Sequence, residues 1–477
     1  MTIRFSQRLF LALATMVITG SALGEEQTPE TGTPPKGGGE VTREGTGQTI
    51  GLPPGTEAPV EPGAAPVRKT QPAQRTPERE APYQAGSFLL YPELSGALMY
   101  DSNVFATNDV RVSDWAAIWS PAVWLQSNWD RHALNFYGAA DLTYYQEEDS
   151  ENTQDWRLST EGRYDVTPDA NAYGGVWWSR DHEDRESPDG RNGLFPTIYY
   201  TFAGYAGYFQ QFHEYSVRLG GRAEHLTFQN VQTASPGFPV IINDDRDRWR
   251  YTGGGRFGYE FTPRWEGFVQ LAVDNRRYDR KPDDFVIAGG GAFRDSDGER
   301  AYVGARFNVP RVIKAEAYAG YMSQDYEDAR LADVNEPGFG ANVLWNATDT
   351  TRVSFYLDRT IEETTVFQSG FVASSYVNTF GGVTVSYRPL DRLTLYGNLF
   401  ASRAAYQGIV RTDDYTGGAL GAAYRVNKHF LWDLAYSYRQ LDSSAPQIVV
   451  AGPLRALPGE DFQRSQVFLR AVFSFSE

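Results

Sequence analysis

Residues 155–166 read Asp-Trp-Arg-Leu-Ser-Thr-Glu-Gly-Arg-Tyr-Asp-Val, and their side chains alternate between two kinds. Odd-numbered positions carry charged or polar groups, whereas even-numbered positions are mostly apolar or small. Successive side chains of a β-strand point to opposite faces, so a period of two predicts a strand with one charged and one apolar face. The stretch is about twice as long as the ~5–6 residues usual in soluble proteins. Such length is typical of tilted strands that cross a bilayer.

The same alternation recurs from residue 87 to the end of the chain, which predicts an all-β structure of about 18 strands. The predicted strands lie at residues 91–104, 115–127, 131–147, 153–166, 170–182, 197–211, 214–229, 248–261, 265–278, 299–308, 311–325, 338–346, 350–362, 375–387, 391–406, 414–425, 429–440 and 463–475.

The connections between these strands alternate in length. Links such as Pro168-Asp169 are tight turns, whereas the links over 183–196 and 230–247 are long and charged. Short turns at one end and long loops at the other are typical of outer-membrane barrels. In lipid every backbone polar group must be paired, so the strands must close into a ring. We therefore predict a transmembrane outer-membrane β-barrel of antiparallel strands over residues 87–477.

The first 24 residues have the features of a secretory signal peptide. Arg4 and Arg8 precede a short apolar run, which is followed by small residues up to Gly24. That run is far shorter than the ~20 residues a membrane-spanning helix needs, and no later uncharged apolar run reaches that length. We therefore expect the mature protein to lack a transmembrane helix.

A second N-terminal segment, residues 25–86, is rich in proline and glycine, and its first aromatic residue is Tyr83. Such a composition cannot bury enough apolar surface to order the chain, so we predict a disordered spacer. An even number of strands places the first and the last residue of the barrel on the side that carries the short turns. The predicted location is the Gram-negative outer membrane, with the N-terminus and the spacer in the periplasm.

Composition and motifs exclude several classes of function. The chain has no cysteine, which removes disulfide scaffolds and thiol chemistry, and its net charge of −16 argues against a nucleic-acid binder. No nucleophile and base are paired in a recognisable motif, so we predict a protein that is not an enzyme and has no catalytic residue. Acidic loops such as 181–189 lack the ligand spacing of a metal site and are expected to be solvated. We expect no metal and no cofactor.

The polar face of the strands should line a wet lumen, because a charge that faced lipid would cost ~2–4 kcal/mol at the midplane. The predicted pore-lining residues are Arg157, Arg163, Arg218, Arg222, Arg250, Arg256, Arg306, Arg352, Glu161 and Glu260. Two interpretations remain open: a selectivity lining for anionic or polyhydroxylated solutes, or a mutually compensating lattice of arginines and carboxylates that stiffens the wall. The mixed signs favour the lattice.

Aromatic residues collect near the predicted strand ends. Such rings are typical of girdles at the two membrane interfaces, where a ring lies half in water. The tryptophans predicted for these girdles are Trp124, Trp129, Trp156, Trp249, Trp265 and Trp345.

Two short blocks resemble a known family. Residues 96–105 read Gly-Ala-Leu-Met-Tyr-Asp-Ser-Asn-Val-Phe, and Pro121–Leu125 is followed by Asn128–His132. Both are similar to the opening strands and first turn of a family of outer-membrane β-barrel porins that occurs in proteobacterial exopolysaccharide gene clusters. The resemblance covers about 87–477, mostly by architecture, and carries no catalytic residue with it.

What the resemblance implies is a porin-like channel that serves as a conduit for exopolysaccharide export. One alternative is a structural or scaffolding barrel with an occluded lumen that tethers periplasmic partners, and another is a general nutrient porin. The expected partners are outer-membrane lipid and lipopolysaccharide, together with polysaccharide and periplasmic export proteins, and no nucleic acid.

Overall fold

The computed structural model describes residues 83–475, except 109, 188, 190–192, 234–239, 280–291, 369–370 and 446–460. The predicted signal peptide and nearly all of the predicted spacer lie outside the described residues and stay predictions.

Eighteen long antiparallel strands dominate the described residues, each paired with its neighbours in sequence. The first nine are β1 (Phe88–Asp101), β2 (Asp114–Ser127), β3 (Ala133–Tyr145), β4 (Thr153–Thr167), β5 (Ala170–His182), β6 (Ile198–Phe212), β7 (Tyr215–Phe228), β8 (Arg248–Thr262) and β9 (Trp265–Tyr278). The other nine are β10 (Ser296–Val309), β11 (Ile313–Tyr326), β12 (Val334–Thr348), β13 (Thr351–Glu363), β14 (Ser375–Leu390), β15 (Leu393–Tyr406), β16 (Thr412–Asn427), β17 (Phe430–Ser443) and β18 (Phe462–Ser474).

The sheet closes on itself because β18 pairs with β1, with Arg470 opposite Ala97. A short strand, Tyr83–Ala85, folds back onto the first residues of β1. The predicted fold, a barrel of 18 antiparallel strands, is confirmed. Among the described residues no helix is both long and apolar enough to span a membrane, and the described helices are single 3-10 turns at Asp149–Glu151 and Asp244–Arg246.

The predicted strand bounds agree with the observed ones to within about three residues, with an exception at β12. We predicted a start at residue 338, but the strand begins at Val334, whose side chain is buried. Glu336 and Pro337 gave this stretch the appearance of a loop. Pro337 is nevertheless placed opposite Tyr321 in the ladder.

The two faces of the sheet differ as predicted. In β9, Val269, Leu271 and Val273 are about half exposed, whereas the alternate residues Gln270, Ala272 and Asp274 are at most 4% exposed. Apolar side chains thus form the outer surface, and the polar face is turned inward. We call the two ends of the barrel the short-turn end and the long-loop end.

One predicted girdle residue faces the other way. Trp124 lies on the opposite face of β2 from the exposed Trp119 and Val123, and its ring packs 4.9 Å from that of the buried Tyr137. The prediction that Trp124 belongs to the outer girdle is therefore wrong. The preceding residue, Val123, faces outward instead. The local sequence around a tryptophan near a strand end does not reveal which face of the sheet the side chain occupies.

Candidate functional site

The lumen is the candidate site, because it gathers nearly all the buried charge. At its long-loop end lies the connection between β5 and β6, whose described residues, 183–187, 189 and 193–197, we call the crossing loop. On the ring of 18 strands this connection lies almost opposite the one between β13 and β14. The crossing loop contacts residues there and also residues of β16, β17 and β18, so it must pass over the mouth.

Glu186 attaches the crossing loop to the inner wall. Its carboxylate is ion-paired with Arg439 of β17 and lies 3.1 Å from Arg464 Nη1 of β18. The Tyr415 hydroxyl of β16 donates to the backbone oxygen of Glu186 at 2.8 Å. Arg464 Nε also donates to Asp101 of β1 at 2.9 Å. One residue of the loop is therefore held by two arginines and a tyrosine hydroxyl on three adjacent strands, and Asp101 of a fourth strand fixes one of those arginines.

Two further acids hold the same loop. Asp189 Oδ1 accepts hydrogen bonds from the Thr365 amide at 2.7 Å and the Thr364 hydroxyl at 2.9 Å, across the mouth. Glu183 Oε2 accepts from Arg246 Nη1 at 2.9 Å, and both side chains are buried. The expectation that the acidic stretch 181–189 is solvated is wrong. Glu183 and Glu186 bind arginines of another loop and of the wall, and Asp189 binds two threonines. These partners offset the loss of hydration of the three carboxylates.

A second buried network lies on the wall below the long loops. Asp274 Oδ2 accepts from Arg250 Nε at 2.6 Å, and Asp274 Oδ1 accepts from Arg276 Nε at 2.7 Å. Arg276 is also ion-paired with Glu363, a residue four strands away on β13. Each buried charge in this network needs an opposite charge beside it. Removal of one partner would leave the other charge buried and unpaired, which is strongly destabilising.

A third network lies near the short-turn end. Arg256 Nη1 donates to Glu316 Oε1 at 3.0 Å, and Arg306 Nη2 donates to Glu316 Oε2 at 2.9 Å. Arg306 Nη1 reaches Glu266 at 2.9 Å. The Arg256 guanidinium lies 3.3 Å from the ring centroid of Phe268, a cation–π contact. This cluster is more open than the one below the long loops.

The other predicted pore-lining residues are spread around the wall. Arg157 and Arg222 both lie over the ring of Trp177, at 5.1 and 4.6 Å. Arg222 also pairs with Glu224, and Arg218 lies 5.0 Å from the ring centroid of Phe209.

The remaining four lie towards the short-turn end. Arg163 binds Asp165 at 2.7 Å, and Arg352 donates to Asn346 Oδ1 at 2.7 Å. Glu161 accepts from Asn135 at 3.1 Å, whereas Glu260 is exposed near the turn after β8. The structure therefore gathers Arg256 and Arg306 into one cluster, places Arg250 in another, and distributes the rest among local partners.

Aromatic rings form a band on the inner face, three to seven residues above the short turns. Several rings reach over a glycine one or two strands away and leave no room for a side chain there. A Cβ on Gly421 would come within 2.1 Å of the Tyr396 ring, and one on Gly338 within 2.6 Å of the Tyr302 ring. The band contains Trp124, Tyr137, Tyr173, Trp177, Tyr205, Phe209, Phe268, Tyr302, Tyr318, Tyr356, Tyr396, Phe400 and Phe468.

Sequence reasoning missed the residues that hold the crossing loop, Glu186, Arg439 and Arg464, and also Arg300 of β10. The signal for the three arginines was their phase, since each occupies an inward position of its strand. Nothing in the sequence indicates which strand a loop acid reaches. In the described part of the chain no three His, Cys, Asp or Glu side chains are grouped as a metal site.

A closed barrel with an apolar outer surface and a charged interior defines an outer-membrane β-barrel of the porin-like channel class. The chain matches the family described as "Putative beta-barrel porin 2" over residues 79–452 and belongs to that family. The family places it in the Gram-negative outer membrane, and the resemblance predicted from the opening strands is confirmed.

Comparison with other proteins adds a likeness of shape. No curated protein matches the chain. Among solved structures, the siderophore receptor PirA from Pseudomonas aeruginosa has 9% identity and a TM-score of 0.39, with 81% of this chain and 80% of that chain covered. A variant of the ferric enterobactin receptor PfeA from the same organism has 7% identity and a TM-score of 0.47, with 82% and 81% covered. The copper transporter OprC has 11% identity and a TM-score of 0.45, with 83% and 81% covered.

Proposed function

We propose that this outer-membrane barrel is a passive conduit for secreted exopolysaccharide, with the short turns and the N-terminus on the periplasmic side. The observation that carries the proposal is the inner face, where clusters of charged side chains and a band of aromatic rings line a closed ring of strands. Barrels of 16–18 strands are wide enough to hold an aqueous channel. A conduit of this kind needs no catalytic step.

The chemistry of the lumen suits a sugar polymer. Aromatic rings offer apolar faces to the C–H side of a sugar ring, and arginines and carboxylates offer hydrogen bonds to its hydroxyl groups. Trp177 with Arg157 and Arg222 is such a combination on one stretch of wall. The ten predicted pore-lining residues keep this role as part of the proposal. The resemblance of the opening strands to porins of exopolysaccharide clusters supports it.

The crossing loop adds a condition. While Glu186 and Asp189 hold the loop across the mouth, the lumen is narrowed at the long-loop end. A polymer would pass only after these contacts break, so at rest the conduit is closed to polymer while small ions still pass the narrowed mouth.

The same loop favours a second candidate, a scaffolding barrel whose lumen stays occluded and whose N-terminal segment tethers periplasmic partners. The two candidates differ in whether the mouth ever opens. Conductance across planar bilayers separates them, because a permanently occluded barrel inserts without conducting.

Deletion of the gene, followed by assay of secreted polysaccharide, tests the favoured function. We expect secretion to fall and to return with the wild-type chain. A strain that secretes normally but takes up small hydrophilic solutes more slowly would contradict the proposal and indicate a nutrient porin instead. A complementing variant with Arg403→Gln, an exposed loop-end arginine, should restore secretion and serves as the control.

A further inference from the structure

Arg300 is the exception among the lumen arginines described above. It lies on the inner face of β10 in the half nearer the long loops, and its side chain is only 3% exposed. Among the residues that the structure describes, no group accepts a hydrogen bond from Nε or Nη1 of Arg300. A buried charged donor without an acceptor costs free energy unless an anion compensates it.

The nearest carboxylate is already in use. The charged groups that act most strongly on Arg300 are Asp274, Arg276 and Arg250. Asp274 Oδ1 serves Arg276, while Asp274 Oδ2 serves Arg250 and also accepts from Thr252 Oγ1 at 3.2 Å. Both oxygens are therefore turned to other donors.

The local charge count leaves an excess of cations. Arg250, Arg276 and Arg300 meet the carboxylates of Asp274 and Glu363, which is three positive groups for two negative ones. Arg277, which pairs with Asp297, lies on the other face of β9 and does not belong to this group. Arg248 and Arg294 add two further cations around Glu363. On the wall beside Arg300, guanidinium groups therefore outnumber carboxylates.

A second buried donor is adjacent to Arg300 on the same strand. Tyr302 is two residues along β10 on the same face, is 3% exposed, and its hydroxyl has no hydrogen-bond partner in the described part of the chain. Its ring is fixed over Gly338 of β12, where no side chain fills the wall. Asp358, whose charge also acts on Tyr302, already accepts from the Tyr318 hydroxyl at 2.9 Å. The Tyr302 hydroxyl and Nε and Nη1 of Arg300 are thus neighbouring donors without an acceptor among the described residues.

We propose that Arg300 and Tyr302 form a binding site for an oxyanion inside the lumen. A guanidinium binds a planar oxyanion through two parallel hydrogen bonds, and the tyrosine hydroxyl supplies a third donor. The carboxylate of an acidic saccharide has this chemistry, and so does an inorganic oxyanion such as sulfate. For the identity of the solute, this inference rests on the proposed function. It deepens that function by naming an acidic polymer as the cargo.

The site also explains an arrangement that a structural lattice does not. In a lattice every cation is offset by a neighbouring carboxylate, as Arg256 and Arg306 are by Glu316. Arg300 is as deeply buried as Arg256 but lacks that compensation. A solute that carries its own negative charge supplies it during passage, and water or small anions supply it at other times.

The experiment measures binding to the detergent-solubilised full-length barrel, independently of flux. Thermal unfolding is followed while sodium glucuronate, sodium sulfate or neutral glucose is added at constant sodium concentration. We expect glucuronate to raise the melting temperature saturably and glucose to leave it unchanged. If sulfate raises the melting temperature as much as glucuronate does, the result supports an oxyanion site but shows that the site does not prefer sugar acids.

Variants separate the site from general charge effects. Arg300→Gln should weaken glucuronate binding about tenfold or more, the loss expected when a bidentate charged contact is removed. Tyr302→Phe should weaken it less. Arg277→Gln, on the other face of the neighbouring strand, is the matched control and should bind as wild type. Because Arg300→Gln removes an uncompensated buried charge, we expect it to fold, which heat-modifiable migration in gels verifies.

Equal binding by wild type and Arg300→Gln, or no saturable response to either anion, overturns the inference. Failure of the proposed function looks different. A barrel that binds glucuronate through Arg300, in a species whose deletion strain secretes polysaccharide normally, retains the site and loses the export role.

Discussion

Individual residues of this barrel are governed by whether a buried charge finds a partner. The sequence shows that Arg256 and Arg306 lie on the inward phase of their strands. That both share Glu316, three strands from Arg256, could not be predicted, because a pattern of period two gives the face but not the distant partner. The same applies to Arg300, whose phase resembles that of its neighbours although its surroundings differ.

Asp247, at the end of the loop before β8, should make that loop sensitive to pH. Burial raises its pKa from 3.8 to about 6, and Asp244 and Asp279 add to the shift. A carboxyl with a raised folded pKa binds its proton more tightly when folded. Its contribution to stability is therefore greatest below the unfolded pKa and is lost as pH rises through about 6.

Hydrogen exchange at the Phe228 amide, which donates to Asp247 Oδ1 at 2.7 Å, measures this effect. After correction for intrinsic rates, we expect protection to fall about fivefold between pH 5 and pH 7, roughly 1 kcal/mol once solvent screening is allowed for. Asp247→Asn imitates the protonated group and should show a flat profile. A wild-type profile as flat as that of the Asn variant contradicts the assignment.

Gly421 should tolerate no side chain, because a Cβ there would meet the Tyr396 ring at 2.1 Å. We expect Gly421→Ala to destabilise the barrel by ~1–3 kcal/mol, as overpacking does. Gly253→Ala is the control, since its nearest atom would lie at an ordinary 3.8 Å. Denaturant unfolding of barrels refolded in lipid vesicles gives both values, and equal stability of the two variants would show that the ring does not lie over Gly421.

At the scale of elements, the strands were predictable and the loops were not. Strand position follows from alternation and turn residues, which are local. The crossing loop is acidic, and acidity in a loop usually means solvation. Its burial depends on Arg439 and Arg464, which are more than 250 residues away in the chain, and no local pattern reports such a contact. The first residues of β12 were missed because Pro337 interrupts the alternation of polar and apolar residues along the sequence. The strand nevertheless continues there, paired with β11.

The crossing loop should loosen when its main ion pair is removed. Glu186→Gln leaves Arg439 and Arg464 with one carboxylate fewer, and breaking a buried pair commonly costs ~3–5 kcal/mol. We expect trypsin to cleave after Arg185 at least about tenfold faster in this variant. Glu147→Gln, an exposed acid in another loop, should be cleaved like wild type. Unchanged cleavage of Glu186→Gln would mean that the loop does not depend on this contact.

At the scale of the whole molecule, the outer surface must meet hydrocarbon. Leu271 lies midway along β9 and is 59% exposed, so Leu271→Arg should destabilise the barrel by ~2–4 kcal/mol in a bilayer. Leu271→Ala should cost less, because it introduces no charge. The free energy of unfolding from vesicles is the measurement. An arginine tolerated at this position without loss would indicate that the face is not exposed to lipid.

Single-channel recording in planar bilayers tests the central claim, which is that a conducting lumen is narrowed at one mouth by the crossing loop. We predict small and infrequent conductance steps for the wild-type barrel, and larger, more frequent steps for Glu186→Gln at the same ionic strength. A correctly folded Glu186→Gln barrel that inserts and stays silent, or that conducts no more than wild type, would contradict the account.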